Sequence, residues 1–262
     1  MIPQQTSYLQ ELNDVQRDAV SAINGPVMVI AGPGSGKTRV LTYRVAHLIH
    51  SGIRPHQILT LTFTNKAARE MKDRIERVVG KEAQYVWAGT FHSIFARILR
   101  YESEAIDFPG NFTIYDTDDS KNLIKQILSD LKLDTKVYNP NAVRNRISSA
   151  KCNLISPEQY MSNMELLQQD KKNRRPYMAD IYKQYARRCK RAGAMDFDDL
   201  LYQTYVLFDQ NEAVLQKYRD RFTHVLVDEF QDTNHLQYAI IRKLTDYKGS
   251  PRNICIVGDD AQ

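Results

Sequence analysis

Five short apolar runs punctuate the chain: Val27–Ala31, Ile58–Thr62, Tyr85–Ala88, His224–Val227 and Asn253–Val257. They are rich in β-branched residues and most lead directly into Gly, Thr or Asp. A strand covered on both faces carries a continuous apolar run rather than an alternating one, so these segments predict buried strands. Lys37–His50 and Asn65–Val79 instead repeat apolar residues at three- and four-residue spacing, which predicts amphipathic helices. Strands alternating with helices predict an α/β fold with a parallel sheet, whose ligands gather at the carboxyl ends of the strands. From Phe108 to Arg191 the rhythm changes. Almost no strand is legible there, and Asn139-Pro140 and Ser156-Pro157-Glu158-Gln159 are helix starts, the second with the spacing of a capping box. An inserted helical subdomain is therefore expected over 108–191, flanked by the two parts of one sheet domain, 1–107 and 192–262.

Charge sharpens that division. Lys121 through Arg191 holds sixteen Lys/Arg against six Asp/Glu, while the whole chain is only +5, so the remainder is mildly acidic. A basic helical body points to a polyanionic partner, although solvated helix faces produce charge runs as well. Composition is otherwise that of a globular chain, 42% hydrophobic and 26% charged. No apolar run approaches the roughly 18 residues of a membrane helix. The N-terminal stretch has neither a basic nor an apolar signal region, and the three cysteines (Cys152, Cys189, Cys255) are widely spaced without a CxxC. A cytoplasmic protein with no membrane partner and no zinc or iron–sulfur site is expected.

The chemistry begins at the end of the first predicted strand, in Ala31-Gly32-Pro33-Gly34-Ser35-Gly36-Lys37-Thr38. Glycines let successive backbone N–H groups point at a phosphate, the following helix adds its positive end, Lys37 reaches the β- and γ-phosphates, and Thr38 ligates Mg²⁺. Ala31 stands where the pattern usually has its first glycine. A matching pair of acids closes the fourth strand: Asp228 is placed to hold the Mg²⁺, and Glu229 to polarise an attacking water as general base. Two carboxylates at the tip of an apolar strand cost several kcal/mol in desolvation unless paired or metal-bound. Glu229 suits transfer of a phosphoryl group to water. No Asn-Lys-x-Asp guanine reader is present, since Asn65-Lys66-Ala67-Ala68 lacks the final acid, so ATP is favoured over GTP.

Around this loop the chain resembles the superfamily 1 DNA helicases of the UvrD/Rep/PcrA type, motif by motif and in order. Leu12 through Val20 is similar to the opening motif, whose glutamine, Gln16 here, reads the adenine edge; Asn13 and Gln16 also have the spacing of a capping box. The resemblance implies a RecA-like P-loop NTPase fold and a nucleotide site built from Gln16, Ala31, Gly32, Pro33, Gly34, Ser35, Gly36, Lys37, Thr38 and Arg39. Thr62-Phe63-Thr64-Asn65-Lys66-Ala67-Ala68 and Gly89-Thr90-Phe91-His92-Ser93 resemble motifs that contact single-stranded DNA, which implies contacts from Phe63, Thr64, Asn65, Thr90, Phe91 and His92. Without it, Phe63 and Phe91 read as core and Thr64 as a helix cap. Met195 through Leu201 also matches a family signature, while Asp196 read alone is an N-cap with first-turn acids behind it. Asp228-Glu229-Phe230-Gln231-Asp232-Thr233-Asn234 is the most specific match, with Gln231 and Asp232 implied to link hydrolysis to the DNA side.

Val257 through Gln262 resembles the start of a further motif, in which Gln262 is the γ-phosphate-sensing glutamine. The resemblance implies an N-terminal portion of a longer helicase, partnered by a second RecA-like domain of the same parent chain that supplies arginine fingers. It implies ATP and Mg²⁺ as cofactors, single-stranded DNA and single/double-strand junctions as partners, and 3′-to-5′ polarity. In the inserted helices, Lys171-Lys172-Asn173-Arg174-Arg175, Tyr177, Tyr182, Tyr185, Arg187-Arg188 and Lys190-Arg191 form a candidate DNA face, the tyrosines stacking on bases or packing helices together. Two readings of activity stand: an ATP-driven motor in the parent, and a nucleotide- and DNA-binding module with little turnover in this chain. A P-loop kinase or GTPase is disfavoured by Glu229 and the missing guanine reader.

Overall fold

The structure, a computed structural model, describes residues 4–32 and 34–259. Its strands are β1 (Val27–Ile30), β2 (Ile58–Thr62), β3 (Trp87–Thr90), β4 (Thr113–Tyr115), β5 (Ala194–Asp196), β6 (His224–Val227) and β7 (Ile254–Gly258). The α-helices of the first part are α1 (Asp14–Ser21), α2 (Lys37–His50), α3 (Asn65–Val79) and α4 (Phe91–Tyr101). Those of the middle are α5 (Thr117–Asp130), α6 (Pro140–Cys152), α7 (Pro157–Ser162), α8 (Met164–Lys172), α9 (Met178–Arg191) and α10 (Phe197–Gln210). Two more, α11 (Glu212–Arg221) and α12 (His235–Thr245), flank β6. No helix among the described residues is long and apolar enough to cross a membrane.

The chain divides into two compact units, one of Met1–Ile94, Asn211–Thr233 and Gln237–Gln262, the other of Phe95–Gln210 and Asn234–Leu236. The breaks fall at Ile94/Phe95 and Gln210/Asn211, where the sequence pattern placed them at 107/108 and 191/192. The first unit holds a five-stranded parallel sheet in the order β1-β7-β6-β2-β3, with Val27 opposite Cys255, Val225 opposite Ile254, Ile58 opposite His224 and Leu59 opposite Trp87. Every residue of β2 and β6 is buried, as continuous apolar runs require. Val40, Leu41, Val45, Leu48 and Ile49 form the buried stripe of α2, and Ala68, Met71 and Ile75 that of α3. Leu41, Val45, Met71 and Ile75 join Ile58, Leu226 and Val257 in one core.

The third strand lies two residues later than the sequence predicts. Gly80–Tyr85 winds into a 3₁₀ helix and leaves Tyr85 on the surface, so the strand starts at Trp87 and delivers Gly89 and Thr90 to its tip. Space is tight there: a Cβ at position 89 would stand 2.7 Å from Ser93 Oγ, so that side chain would have to shift, because the chain turns at once into α4.

In the second unit the sequence showed neither β4 nor β5, two three-residue segments that pair in parallel. Three residues are too few to leave a periodic signal. The helices pack around Ile124, Leu128, Val143, Ile147, Tyr160, Ile181, Tyr182 and Tyr185. Both expected helix starts form: Asn139 Oδ1 accepts the Asn141 N–H at 2.9 Å, and Ser156 and Gln159 make a reciprocal capping box. A dry charge cluster sits among these helices. Lys151 Nζ lies 2.8 Å from both Asp196 Oδ2 and Asp199 Oδ1, and the Tyr185 hydroxyl donates to Asp196 Oδ2 at 2.8 Å. Burial works against the Lys151 charge, but the two carboxylates outweigh it and hold its pKa well above the ordinary value.

Candidate functional site

The loop after β1 and the loop after β6 meet around one cleft of ≈ 430 Å³, lined by Gly34, Gly36, Lys37, Thr38, Arg39, Arg74, Glu229 and Asp259. Gly34 and Gly36 carry φ of 77° and 87°, the left-handed region in which a side chain is strained, and Gly36 is the N-cap of α2. The free N–H groups of that helix end therefore open into the cleft beside Lys37. Ala31 anchors the loop's other end, donating its N–H to the Gly258 carbonyl at 3.1 Å. Lys37 Nζ donates to the Ala31 carbonyl at 2.9 Å and pairs with Asp259 Oδ2 at 3.2 Å.

Gln16 makes the capping box that its spacing predicts. Its backbone N–H donates to Asn13 Oδ1 at 2.9 Å and its Oε1 accepts the Asn13 N–H, completing the capping box of α1. Its Nε2 also reaches the glycine-rich loop, donating to the Ser35 carbonyl at 2.9 Å. Arg39 stands on the cleft wall, paired with Glu11 at 3.3 Å, and Glu11 also accepts the Tyr43 hydroxyl at 2.5 Å.

The acidic pair sits where β6 ends. Asp228 is 2% exposed, and burial, reinforced by the neighbouring Glu229 charge, pushes its pKa up to about 6. Its Oδ1 accepts the Glu229 N–H at 3.1 Å. Glu229 holds a φ of 48°, uncommon for a residue with a side chain, and such strain persists only where surrounding contacts impose it. Gln231 imposes one of them, donating Nε2 to Glu229 Oε2 at 2.7 Å. A buried acid beside a second acid is a group whose charge a bound cation would balance, and Thr38 lies on the wall of the neighbouring cleft.

Pro33 and Gln262, both expected at the nucleotide, lie outside the described residues. Arg74 and Asp259 are on the cleft wall without having been assigned from the sequence. Arg74 is one of several charged residues on α3 and reads there as a solvated face. Asp259 lay within a recognised motif but carried no spacing that tied it to Lys37.

The residues expected at DNA separate by depth. Thr64 and Asn65 are exposed at the start of α3, and Thr64 Oγ1 accepts the Ala67 N–H at 3.1 Å as its cap. Phe63 is half-buried with its ring 5.4 Å from that of Phe91. Phe91 is 1% exposed and Thr90 7%, so both sit beneath the surface, and Phe91 is a core side chain supporting Phe63. His92 is partly exposed. In the second unit Tyr182 and Tyr185 are each 1% exposed, which decides for helix packing over stacking; Tyr177 is on the surface. Arg188 pairs with Asp130 at 2.6 Å and Lys190 with Asp107 at 2.9 Å. Asp196 takes its capping role, exchanging N–H···O bonds with Asp199 at 3.1 and 2.8 Å. Phe197 beside it, 52% exposed, is an aromatic surface that the sequence did not single out.

Residues 12–262 match the model of the UvrD/REP helicase N-terminal domain. The chain is 44% identical over 260 residues to ATP-dependent DNA helicase UvrD1 of Mycobacterium tuberculosis (strain CDC 1551 / Oshkosh), a match covering 97% of this chain and 33% of that protein. It is 42% identical over 255 residues to ATP-dependent DNA helicase PcrA of Bacillus subtilis (strain 168), covering 97% of this chain and 33% of the relative. With ATP-dependent DNA helicase PcrA of Staphylococcus epidermidis (strain ATCC 12228 / FDA PCI 1200) the identity is 41% over 257 residues, covering 98% and 34%. The chain thus spans about a third of the length of these relatives.

Proposed function

The chain belongs to the UvrD/REP helicase N-terminal domain family, and on that premise we propose that it is the ATP-handling motor portion of an ATP-dependent DNA helicase, moving 3′-to-5′ on single-stranded DNA in the cytoplasm. The observation that carries the reading is the convergence of Lys37, Thr38 and Glu229 on one cleft at the ends of β1 and β6. The open N-terminus of α2 receives the phosphates of ATP through its backbone N–H groups, Lys37 compensates the β- and γ-phosphate charge, and Gln16 and Arg39 attend the base. A Mg²⁺ ion held through Thr38 and Asp228 would neutralise charge developing between the β- and γ-phosphates. Glu229, fixed by Gln231, orients a water and takes its proton. Phe63, Thr64, Asn65 and His92 offer an aromatic face and polar groups to single-stranded DNA, next to a duplex junction; in the second unit, taken by itself, the exposed cations of α8 and α9 are suited to DNA phosphates.

Relatives about three times as long accommodate a second RecA-like domain, and arginines supplied from it complete the site in this reading. Missing arginine fingers cost on the order of 10³–10⁵ in rate, so this chain alone binds ATP and DNA and turns over little. The test is ATP binding and hydrolysis by this chain and by its full-length parent, each with and without single-stranded DNA. A quiet chain beside a strongly DNA-stimulated parent is expected, with Lys37→Ala abolishing ATP binding while the circular dichroism stays native. ATP affinity retained by Lys37→Ala, or a parent indifferent to DNA, sinks the proposal. Equal affinity for GTP removes the adenine role of Gln16.

A further inference from the structure

Lys37 and Asp259 stand 222 residues apart in sequence and 3.2 Å apart in the fold. Their side chains are only 10% and 2% exposed, so the pair is nearly dry. Asp259 is held in place from its backbone: its N–H donates to Gln231 Oε1 at 3.1 Å, while the other end of the same amide grips Glu229. The fit is close, since a Cβ at Gly258 would stand 3.0 Å from Gln231 Oε1. A carboxylate in direct contact with phosphate, with no cation between them, is repelled by it. Its value is to the lysine, because a buried cation without a partner is costly.

We infer that Asp259 is the resting counterion of Lys37, that nucleotide phosphate takes its place, and that Gln231 is a positioning residue holding Asp259 at that station. The inference rests on the nucleotide reading above. Binding is then an exchange of anions on Lys37: the phosphate must outcompete a carboxylate already in place, and Asp259 leaves the lysine as nucleotide arrives. Gln231 ties the same station to Glu229, so the exchange occurs one hydrogen-bonded residue away from that acid.

The experiment is a fluorescence titration of N-methylanthraniloyl-ATP with Mg²⁺ into the wild-type chain, Asp259→Asn, Gln231→Leu and the double variant, with circular dichroism confirming the fold. Asp259→Asn is expected to bind about tenfold more tightly, since removing a competing anion worth roughly 1.4 kcal/mol changes Kd by that factor. Gln231→Leu should gain less, about threefold, and the double variant should bind no more tightly than Asp259→Asn, as residues acting through one contact are non-additive. Unchanged or weaker binding in Asp259→Asn overturns the counterion role and makes Asp259 a scaffold or a ligand of the nucleotide and its metal. Gains that multiply remove Gln231 from the relay. Failure of the wild type to bind nucleotide would strike the nucleotide reading itself. The ion pair is then examined without nucleotide, by thermal unfolding of Lys37→Met, Asp259→Asn and their combination; additive shifts in the midpoint overturn the pairing as well.

Discussion

Asp228 shows what burying a single carboxyl costs. Burial first, and Glu229 second, raise its pKa from the ordinary 3.8 to about 6. The folded state therefore binds this proton more tightly than the unfolded one, so the stability contributed is full below the unfolded value and is lost as pH rises through about 6. Asp228→Asn should consequently be more stable to unfolding than the wild type at pH 7.5 in metal-free buffer, by about 3 kcal/mol given the unit cost of a pKa shift, with the gap closing near pH 4. A gap that persists at pH 4 would mean the gain is not electrostatic. Magnesium with nucleotide should protect the wild type and leave the variant unmoved. Gln16 makes the opposite point, for its amide serves a helix cap and the glycine-rich loop together. Gln16→Ala should lose about 1 kcal/mol of stability as a capping defect, and in the same variant the preference for ATP over GTP should vanish if the amide also reads adenine.

At the scale of elements, the two phenylalanines at the strand tips are worth contrasting because their sequence contexts are so alike. Phe91 opens α4 inside the core, and Phe63 closes the β2 turn half in solvent. Phe91→Ala should cost about 3–5 kcal/mol as a buried aromatic deletion, visible in the denaturant midpoint. Phe63→Ala should cost far less stability and instead weaken single-stranded DNA binding by about 1–3 kcal/mol, the worth of one stacked base. Equal destabilisation by both would return Phe63 to the core. The anchor of the second unit is the Lys151–Asp196–Asp199 cluster, which joins α6 to the start of α10. Lys151→Met strands two buried acids and should cost about 3–5 kcal/mol; adding Asp196→Asn and Asp199→Asn should restore much of it. The capping boxes of α1 and α7 and the N-cap of α10 are legible in the sequence, because a cap is made by residues a few positions apart. That a lysine on α6 would pair with the α10 cap was not, because 45 residues separate Lys151 from Asp196.

At the scale of the whole molecule, the basic excess resolves into paired and free charges. Arg188 and Lys190 are spoken for by Asp130 and Asp107, whereas Lys183 and Arg187, one turn apart on α9, make no ion pair among the described residues. Lys183→Glu with Arg187→Glu should weaken DNA binding at all sequences alike and lower the salt slope by about two, one for each lost phosphate contact. Arg188→Glu should change it less, and an unaltered slope in the double variant would make that face a solvated one. The sequence by itself determined the features that depend on near neighbours. These are the glycine-rich loop between strand and helix, the two acids at the end of β6, the helix starts, and the parallel α/β class, each encoded in a run or a spacing of a few residues. Only the tertiary structure decided which of these surfaces meet. The sheet order β1-β7-β6-β2-β3 places the chain's last described strand beside its first, and that adjacency alone brings Asp259 to Lys37. The same packing sends Phe91, Tyr182 and Tyr185 inward, since an aromatic at helical spacing satisfies a core and a binding face equally well until its neighbours are in place.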